Sequence, residues 1–351
     1  MRVLIVAGGT GGHLYPGIAL ARALSGHEVI FVVRRGDLGK EILQKEGFAF
    51  REMAGQGLPR SLSVRAFAFP FNFIRSWVEA RALLRDLRPD RVVGMGGYLS
   101  FPVILSARIL GIRTLLHEQN AYPGLANRFL ARWADSVAVS FPASQAYFPK
   151  AKTWLSGLPI RPGIGTMDQT SGRRQLGLDP QRPTVLVFGG SLGAQKLNTL
   201  SAEAWPLLLA KNVTFQVIHI TGTRDYERVR KLYDSIVFPA TVLPYCHQMA
   251  AAYGAADVVI SRAGASTVAE LLVLRLPALL VPYPYASNNH QLYNAKVLES
   301  QHLGRVVLDD ALTASDIADF LSGVLKGVHP HDQRRAATSP EAAQRLAAHL
   351  L

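Results

Sequence analysis

Twice in this chain, about half its length apart, a short apolar run enters a glycine-rich turn and leaves it with helical spacing. Val3-Leu4-Ile5-Val6-Ala7 leads into Gly8-Gly9-Thr10-Gly11-Gly12, and Val185-Leu186-Val187-Phe188 leads into Gly189-Gly190-Ser191-Leu192-Gly193-Ala194. A strand, a glycine turn and a helix in that order open a doubly wound parallel sheet. Two such openings in 351 residues predict two Rossmann-like α/β domains facing each other across a cleft.

The remaining apolar runs agree with that reading. They fall at residues 3–6, 29–33, 91–95, 114–117 and 136–139 in the first half. In the second half they fall at 184–188, 215–220, 258–260, 278–281 and 305–308. Continuous Val/Ile/Leu runs between amphipathic helices are what a sheet buried on both faces requires. The domains are expected at 1–160 and 161–351, with the break in the Gly-, Pro- and Thr-rich stretch 157–172. A helix at about 340–351 is expected to pack on either domain.

The balance of 38 Lys+Arg against 25 Asp+Glu gives +13 and asks for an acidic partner: nucleic acid, an anionic membrane or a phosphorylated substrate. The excess is lopsided, with 20 basic against 10 acidic residues in 1–160 and 18 against 15 in 161–351. The single cysteine, Cys246, makes no internal disulfide, so a reducing compartment is expected. No apolar run approaches a spanning helix, and the run after Met1-Arg2 is too short for a signal peptide.

A glycine turn after a parallel strand sets backbone N–H groups and a helix N-terminus where anions bind. Here there is no G-x-G-x-x-G and no G-x-x-x-x-G-K-[ST], which disfavours dinucleotide and P-loop sites. D-x-D and H-E-x-x-H are also missing, so no metal signature is indicated. His13, directly after the first turn, is either a helix-start residue or a general base. Gly94-Met95-Gly96-Gly97-Tyr98 either eases helix packing or lines a site, and the polar set His117-Glu118-Gln119-Asn120 suits a strand end that faces one. In 261–270, residues Gly264 to Thr267 are placed to open a helix over a diphosphate, with Glu270 one turn in and suited to ribose hydroxyls. The competing reading is a cap, with Ser266 or Thr267 reciprocated by Glu270.

Phe67, Phe69, Phe71, Phe73, Ile74 and Trp77 interleave with Arg75, Arg81, Arg85, Arg88 and Arg91. From Phe73 onward Trp77, Ala80, Leu84 and Leu87 recur at helical spacing, as in an ordinary amphipathic helix. The aromatics at 67, 69 and 71, split by Pro70, are expected just before that helix. An apolar knob ringed by arginine suits an anionic bilayer. Nucleic acid is the rival partner, though no recognised binding motif accompanies the stripe.

In this order and combination the five motifs resemble glycosyltransferase family 28, the MurG family of N-acetylglucosaminyltransferases, over nearly the whole chain. The resemblance implies a GT-B fold with a membrane-facing acceptor domain first and a UDP-GlcNAc-binding domain second. It implies transfer of GlcNAc from UDP-GlcNAc to the MurNAc C4 hydroxyl of undecaprenyl-pyrophosphoryl-MurNAc-pentapeptide (lipid I to lipid II), with inversion. No cofactor or essential metal is implied. The family's donor contacts fall on Thr10, Gly11, Gly12, Asn120, Arg161, Ser191, Cys246, Ala265, Ser266, Thr267, Val268, Ala269, Glu270 and Gln291. Its membrane patch falls on the stripe from Phe67 to Arg88. His13 is the candidate base. The expected place is the cytoplasmic face of the bacterial inner membrane, held peripherally, with cell-wall synthesis proteins as partners and no nucleic acid. Other glycosyltransferases of this fold, and UDP-GlcNAc 2-epimerases, are the alternatives. The chain departs from the family at Leu158, Cys246 and His290.

Overall fold

Val3, Leu4, Ile5 and Val6 have no exposed surface. Their strand, β1 (Arg2–Val6), runs mid-sheet, so successive side chains enter cores on opposite faces. Val3 and Ile5 join one core cluster, while Leu4 and Val6 join another. The computed structural model describes residues 1–8, 11–37, 39–55, 64–190, 193–234, 236–327 and 341–351, without the side chains of 64–70.

The chain divides into two compact units, Met1–Arg161 with Pro340–Leu351, and Pro162–Ser339. In the first unit β1 is joined by β2 (Glu28–Arg34), β3 (Ala49–Met53), β4 (Arg91–Gly94), β5 (Arg113–Glu118), β6 (Ser136–Val139) and β7 (Thr153–Leu155). All pairings are parallel, in the order β3-β2-β1-β4-β5-β6-β7. Its helices are α1 (Gly11–Ala23), α2 (Gly39–Glu46), α3 (Val64–Leu87), α4 (Ser100–Ile109) and α5 (Leu125–Leu130). The second unit begins with α6 (Gln169–Gln175) and β8 (Thr184–Phe188), followed by α7 (Gln195–Ala210) and β9 (Gln216–Ile220). It continues through α8 (Tyr226–Tyr233), β10 (Ala240–Leu243), α9 (Met249–Ala255), β11 (Val258–Ser261) and α10 (Ala265–Leu274). It ends with β12 (Ala278–Leu280), α11 (His290–Ser300), β13 (Gly304–Val306) and α12 (Ala314–Leu325). Its sheet is also parallel, in the order β10-β9-β8-β11-β12-β13.

The last helix, α13 (Glu341–Leu350), packs on α1 in the first unit. Leu346, Ala347 and Leu350 enter the core beside Ile18 and Leu20, and His349 lies against the Trp154 ring at 4.6 Å. In the second unit α6 is fastened to the sheet by a buried ion pair, Arg173 to Asp257 at 2.6 Å. Asp257 also accepts from Gln169 and from the Thr184 amide, so its charge is well satisfied.

Two expectations need correction. The helix bearing the aromatic stripe begins at Val64, not near Phe73, so Phe67, Phe69 and Phe71 lie within it. Pro70 sits two turns in, where its missing N–H removes one helical bond. Long-range ties hold the following part: Ser76 donates to Ala54 O, and Glu79 accepts from the Ala54 amide and from Arg35. The second correction is that β3, β7 and β10 form strands where no apolar run was read. Among the described residues no helix is long and apolar enough to cross a membrane.

Candidate active site

Each sheet changes direction once, between β1 and β4 in the first unit and between β8 and β11 in the second. Loops leaving the carboxyl ends of two such strands diverge and open a crevice, the ligand site of doubly wound sheets. All five glycine and polar motifs leave strands on that edge.

In the first unit His13, three residues into α1, lies half-buried. Gly96, at φ +89°, leaves it room: a Cβ there would stand 3.2 Å from His13 Cε1 and 3.3 Å from Gln119 Oε1. His13 Nδ1 is 3.2 Å from Gln119 Oε1. Gln119 Nε2 donates to Met95 O at 2.7 Å and lies 3.1 Å from His117 Nδ1. His117 Nε2 is in turn 3.2 Å from Gly157 O. Burial lowers the His117 pKa to about 4, so the ring is neutral near pH 7.

Glu118, buried beside this chain, organises the next loop. Its Oε1 accepts from the Asn120 amide and side chain, and its Oε2 accepts from Gly124 N and Asn127 Nδ2. Burial raises its pKa against the pull of those four donors. Asn120 is thereby fixed at the carboxyl end of β5, half-buried. Arg161 closes the first unit's main segment with its guanidinium 5.5 Å from the Tyr15 ring, beside the start of α1.

In the second unit α7 follows Gly193, which is at φ +77° and so tightly placed that a Cβ would lie 2.2 Å from Thr221 O. The N-cap of α10 is Gly264, in extended conformation, so Ser266 and Thr267 lie inside the first turn and neither is the cap. Ser266 Oγ is buried and makes no hydrogen bond among the described residues. The α10 N-terminus thus offers first-turn amides and the half-buried Ala265, Ser266 and Thr267. Val268 and Ala269 are buried, and Glu270 is fully so, its Oε2 accepting from Tyr253 OH at 2.9 Å. Gln291 Oε1 accepts from Tyr283 N and steadies the loop after β12. Cys246 is buried three residues beyond β10.

Three roles escaped the sequence reading. Gln119 and His117 take part in the hydrogen-bond chain to His13, and their i, i+2 spacing on a strand is the signal that puts both on one face. Arg262 gathers the ends of three strands: it pairs with Asp309 at 2.6 Å and donates to Val281 O and Pro282 O. Thr10 and Ser191 lie outside the described residues, as do the side chains of Phe67 and Phe69.

The stripe continues onto neighbouring helices. Phe73 meets Phe101 edge-on at 5.6 Å, and Phe101 stacks on Phe129 at 5.4 Å. Phe71 (77% exposed), Ile74, Leu125 and Trp133 stand in solvent, as do Arg75, Arg85 and Arg88. Arg81 covers the half-buried Trp77 ring. A cavity of about 590 Å3, lined by Arg113, Lys152, Trp154 and His349, lies at the amino ends of β4 to β7, away from the motifs. No three His, Cys, Asp or Glu side chains converge among the described residues.

Residues 3–139 match the glycosyltransferase family 28 N-terminal domain, and residues 184–350 match its C-terminal domain. A protein of Thermodesulfovibrio yellowstonii is 41% identical over 93% of this chain and 90% of its own length. One of Citrifermentans bemidjiense is 37% identical over 99% of this chain and 98% of its own. Both are named UDP-N-acetylglucosamine--N-acetylmuramyl-(pentapeptide) pyrophosphoryl-undecaprenol N-acetylglucosamine transferase. The crystal structure of Acinetobacter baumannii MurG superposes with TM-score 0.75 at 29% identity, covering 99% of this chain and 98% of that one. A UDP-GlcNAc 2-epimerase of Methanocaldococcus jannaschii shares the fold, with TM-score 0.66 at 10% identity over 100% of this chain and 99% of that one.

Proposed function

Because the chain belongs to glycosyltransferase family 28, we propose that it transfers GlcNAc from UDP-GlcNAc to undecaprenyl-pyrophosphoryl-MurNAc-pentapeptide. The acceptor group is the MurNAc C4 hydroxyl, and the product is lipid II for peptidoglycan. The observation that carries this is the near full-length match, at 37–41% identity, to transferases named for that reaction.

The second unit suits the donor. First-turn amides of α10 suit a leaving diphosphate, and Gly11, Gly12, Asn120 and Arg161 of the first unit are donor contacts by the family resemblance. Ala265 to Thr267 would meet the diphosphate by backbone and hydroxyl, and Val268 and Ala269 by backbone alone. Gln291 would read sugar hydroxyls, while Cys246 would lie by the base. Thr10 and Ser191 belong to the same reading. Glu270 has no exposed surface, so it meets a ribose only if the segment covering it moves.

Inversion needs one displacement. The acceptor oxygen bonds to the anomeric carbon as the sugar–diphosphate bond breaks, and the hydroxyl proton passes to the His13 imidazole. His13→Ala should lower kcat by roughly 10²–10⁴-fold with little change in UDP affinity; an unchanged kcat removes His13 as the base. The reaction itself is tested with labelled UDP-GlcNAc and lipid I or a short-chain analogue. Labelled disaccharide-lipid is expected, whereas ManNAc and UDP formed without acceptor would make the protein an epimerase.

The exposed aromatics of α3 and α5, with Arg75, Arg81, Arg85 and Arg88 around them, support peripheral docking on an anionic membrane surface. A lipid-borne acceptor requires such an approach from the cytoplasmic side. Other cell-wall synthesis proteins would be met on the same surface.

A further inference from the structure

The hydrogen-bond chain behind His13 ends on two carbonyls, and a carbonyl only accepts. Met95 O therefore requires the group 2.7 Å away to be the amide nitrogen of Gln119, which fixes the orientation of that side chain. The second N–H of the same nitrogen points at His117 Nδ1, which must accept it. His117 then carries its proton on Nε2, as the contact with Gly157 O independently demands. The two ends agree, and one arrangement remains. Gln119 Oε1 faces His13 Nδ1 as an acceptor, so Nδ1 must bear hydrogen.

We propose that Gln119 is a positioning residue: anchored by Met95 O and His117, its Oε1 holds His13 as the Nδ1–H tautomer, with the lone pair at Nε2. This rests on the reading of His13 as the base. Neutral imidazole in water favours hydrogen on Nε2, the form whose lone pair would be turned toward Gln119 and away from a substrate. The backing chain reverses that preference before any ligand arrives. When the acceptor hydroxyl gives up its proton to Nε2, the ring becomes a cation with N–H at both nitrogens. Its bond to Oε1 is then charge-assisted and stronger, so the support grows as charge develops. An amide does this without a negative charge, which would raise the histidine pKa and fill Nε2 with a proton at neutral pH. The neutrality of buried His117 keeps its Nδ1 available to Gln119.

The test reads the tautomer directly. In the full chain labelled with 15N-histidine at pH 8, long-range 1H–15N spectra separate the two neutral forms, and His13 is assigned by its absence from His13→Ala. The expected wild-type result is Nδ1–H at His13. Finding Nε2–H there overturns the proposal and needs no variant. Gln119→Leu should move His13 toward Nε2–H and lower kcat roughly 10–100-fold, less than loss of the base itself, with the donor KM changed less than about twofold. UDP affinity within about twofold of wild type in Gln119→Leu separates loss of the bond from loss of the fold. If Gln119→Leu shifts the tautomer and kcat stands, the hydrogen-bond chain is real and the base reading falls. If Gln119→Leu leaves the tautomer unmoved, the positioning role falls whatever His13 does.

Discussion

Burial holds a histidine neutral where no counter-charge outweighs it, because the folded interior penalises the cation that water tolerates. Each unit holds one. His117 is lowered to about 4, and His219 to about 3, with burial the main cause in both. His219 repeats the logic of the first unit. Asn198 turns its amide N–H groups to Thr221 O and Asp225, which leaves Oδ1 to His219 Nε2, while the Tyr233 hydroxyl meets Nδ1 at 2.8 Å. Between the folded and unfolded pKa values the unfolded chain binds more protons, so stability rises with pH from about 4 to 6.5 for His117 and from about 3 to 6.5 for His219. His117 alone loses about 3 kcal/mol as pH falls through its window. Imidazole NMR signals of both residues should remain in the neutral position at pH 5.5; protonation of either above pH 6 contradicts this. Glu270→Ala should weaken UDP-GlcNAc binding about tenfold or more with a smaller change in kcat. An intact affinity in a stably folded variant would leave Glu270 as packing for Tyr253. At this scale His13 and the glycine-rich loops were legible as motifs. The roles of Gln119 and His117 were not, because donor and acceptor direction depends on Met95 O and Gly157 O, far away in sequence.

Ten of the thirteen strands stand out as apolar runs because a strand covered on both faces has no reason to alternate. The three that do not, β3, β7 and β10, all lie at sheet edges. Their residues are half-exposed, as in Ala49–Met53 with only Met53 buried, so the apolar signal fades where one side faces water. The start of α3 was obscured by Pro70, which reads as a break in sequence although the helix continues through it, at the cost of one helical bond and crowding of the carbonyl four residues back. Extending α3 to Val64 places the stripe on a continuous rod rather than in a loop. Phe71→Ser with Ile74→Ser should lower partition onto anionic vesicles about tenfold or more, from apolar area withdrawn from the interface. Removing Arg75 and Arg85 should weaken it by ~1 kcal/mol each at low salt and less at high salt. Turnover of a water-soluble acceptor analogue should stay unchanged in both. Undiminished sedimentation of either variant with the vesicles would move the docking surface elsewhere.

The chain leaves the first unit after Arg161 and re-enters it with α13. The sequence reading left that helix open to either domain, since an amphipathic segment announces its apolar face but not its partner. The partner is α1, and the buried Leu346 and Leu350 contribute about 1.5–3 kcal/mol each. Deleting residues 340–351 should therefore reduce hydrogen-exchange protection in β1 and α1 and spare β8 and α7; equal loss in both units would mean the helix is not specific to the first. The return of α13 also sets an order of events during synthesis. About 180 residues are translated between Arg161 and this helix, which at ordinary elongation rates takes ~10–40 s. Throughout that time the nascent first unit carries an uncovered apolar seam on α1. It is a half-finished body tethered to the ribosome, exposed to chaperones and to its neighbours on a polysome, and closed only once residues 341–350 have emerged.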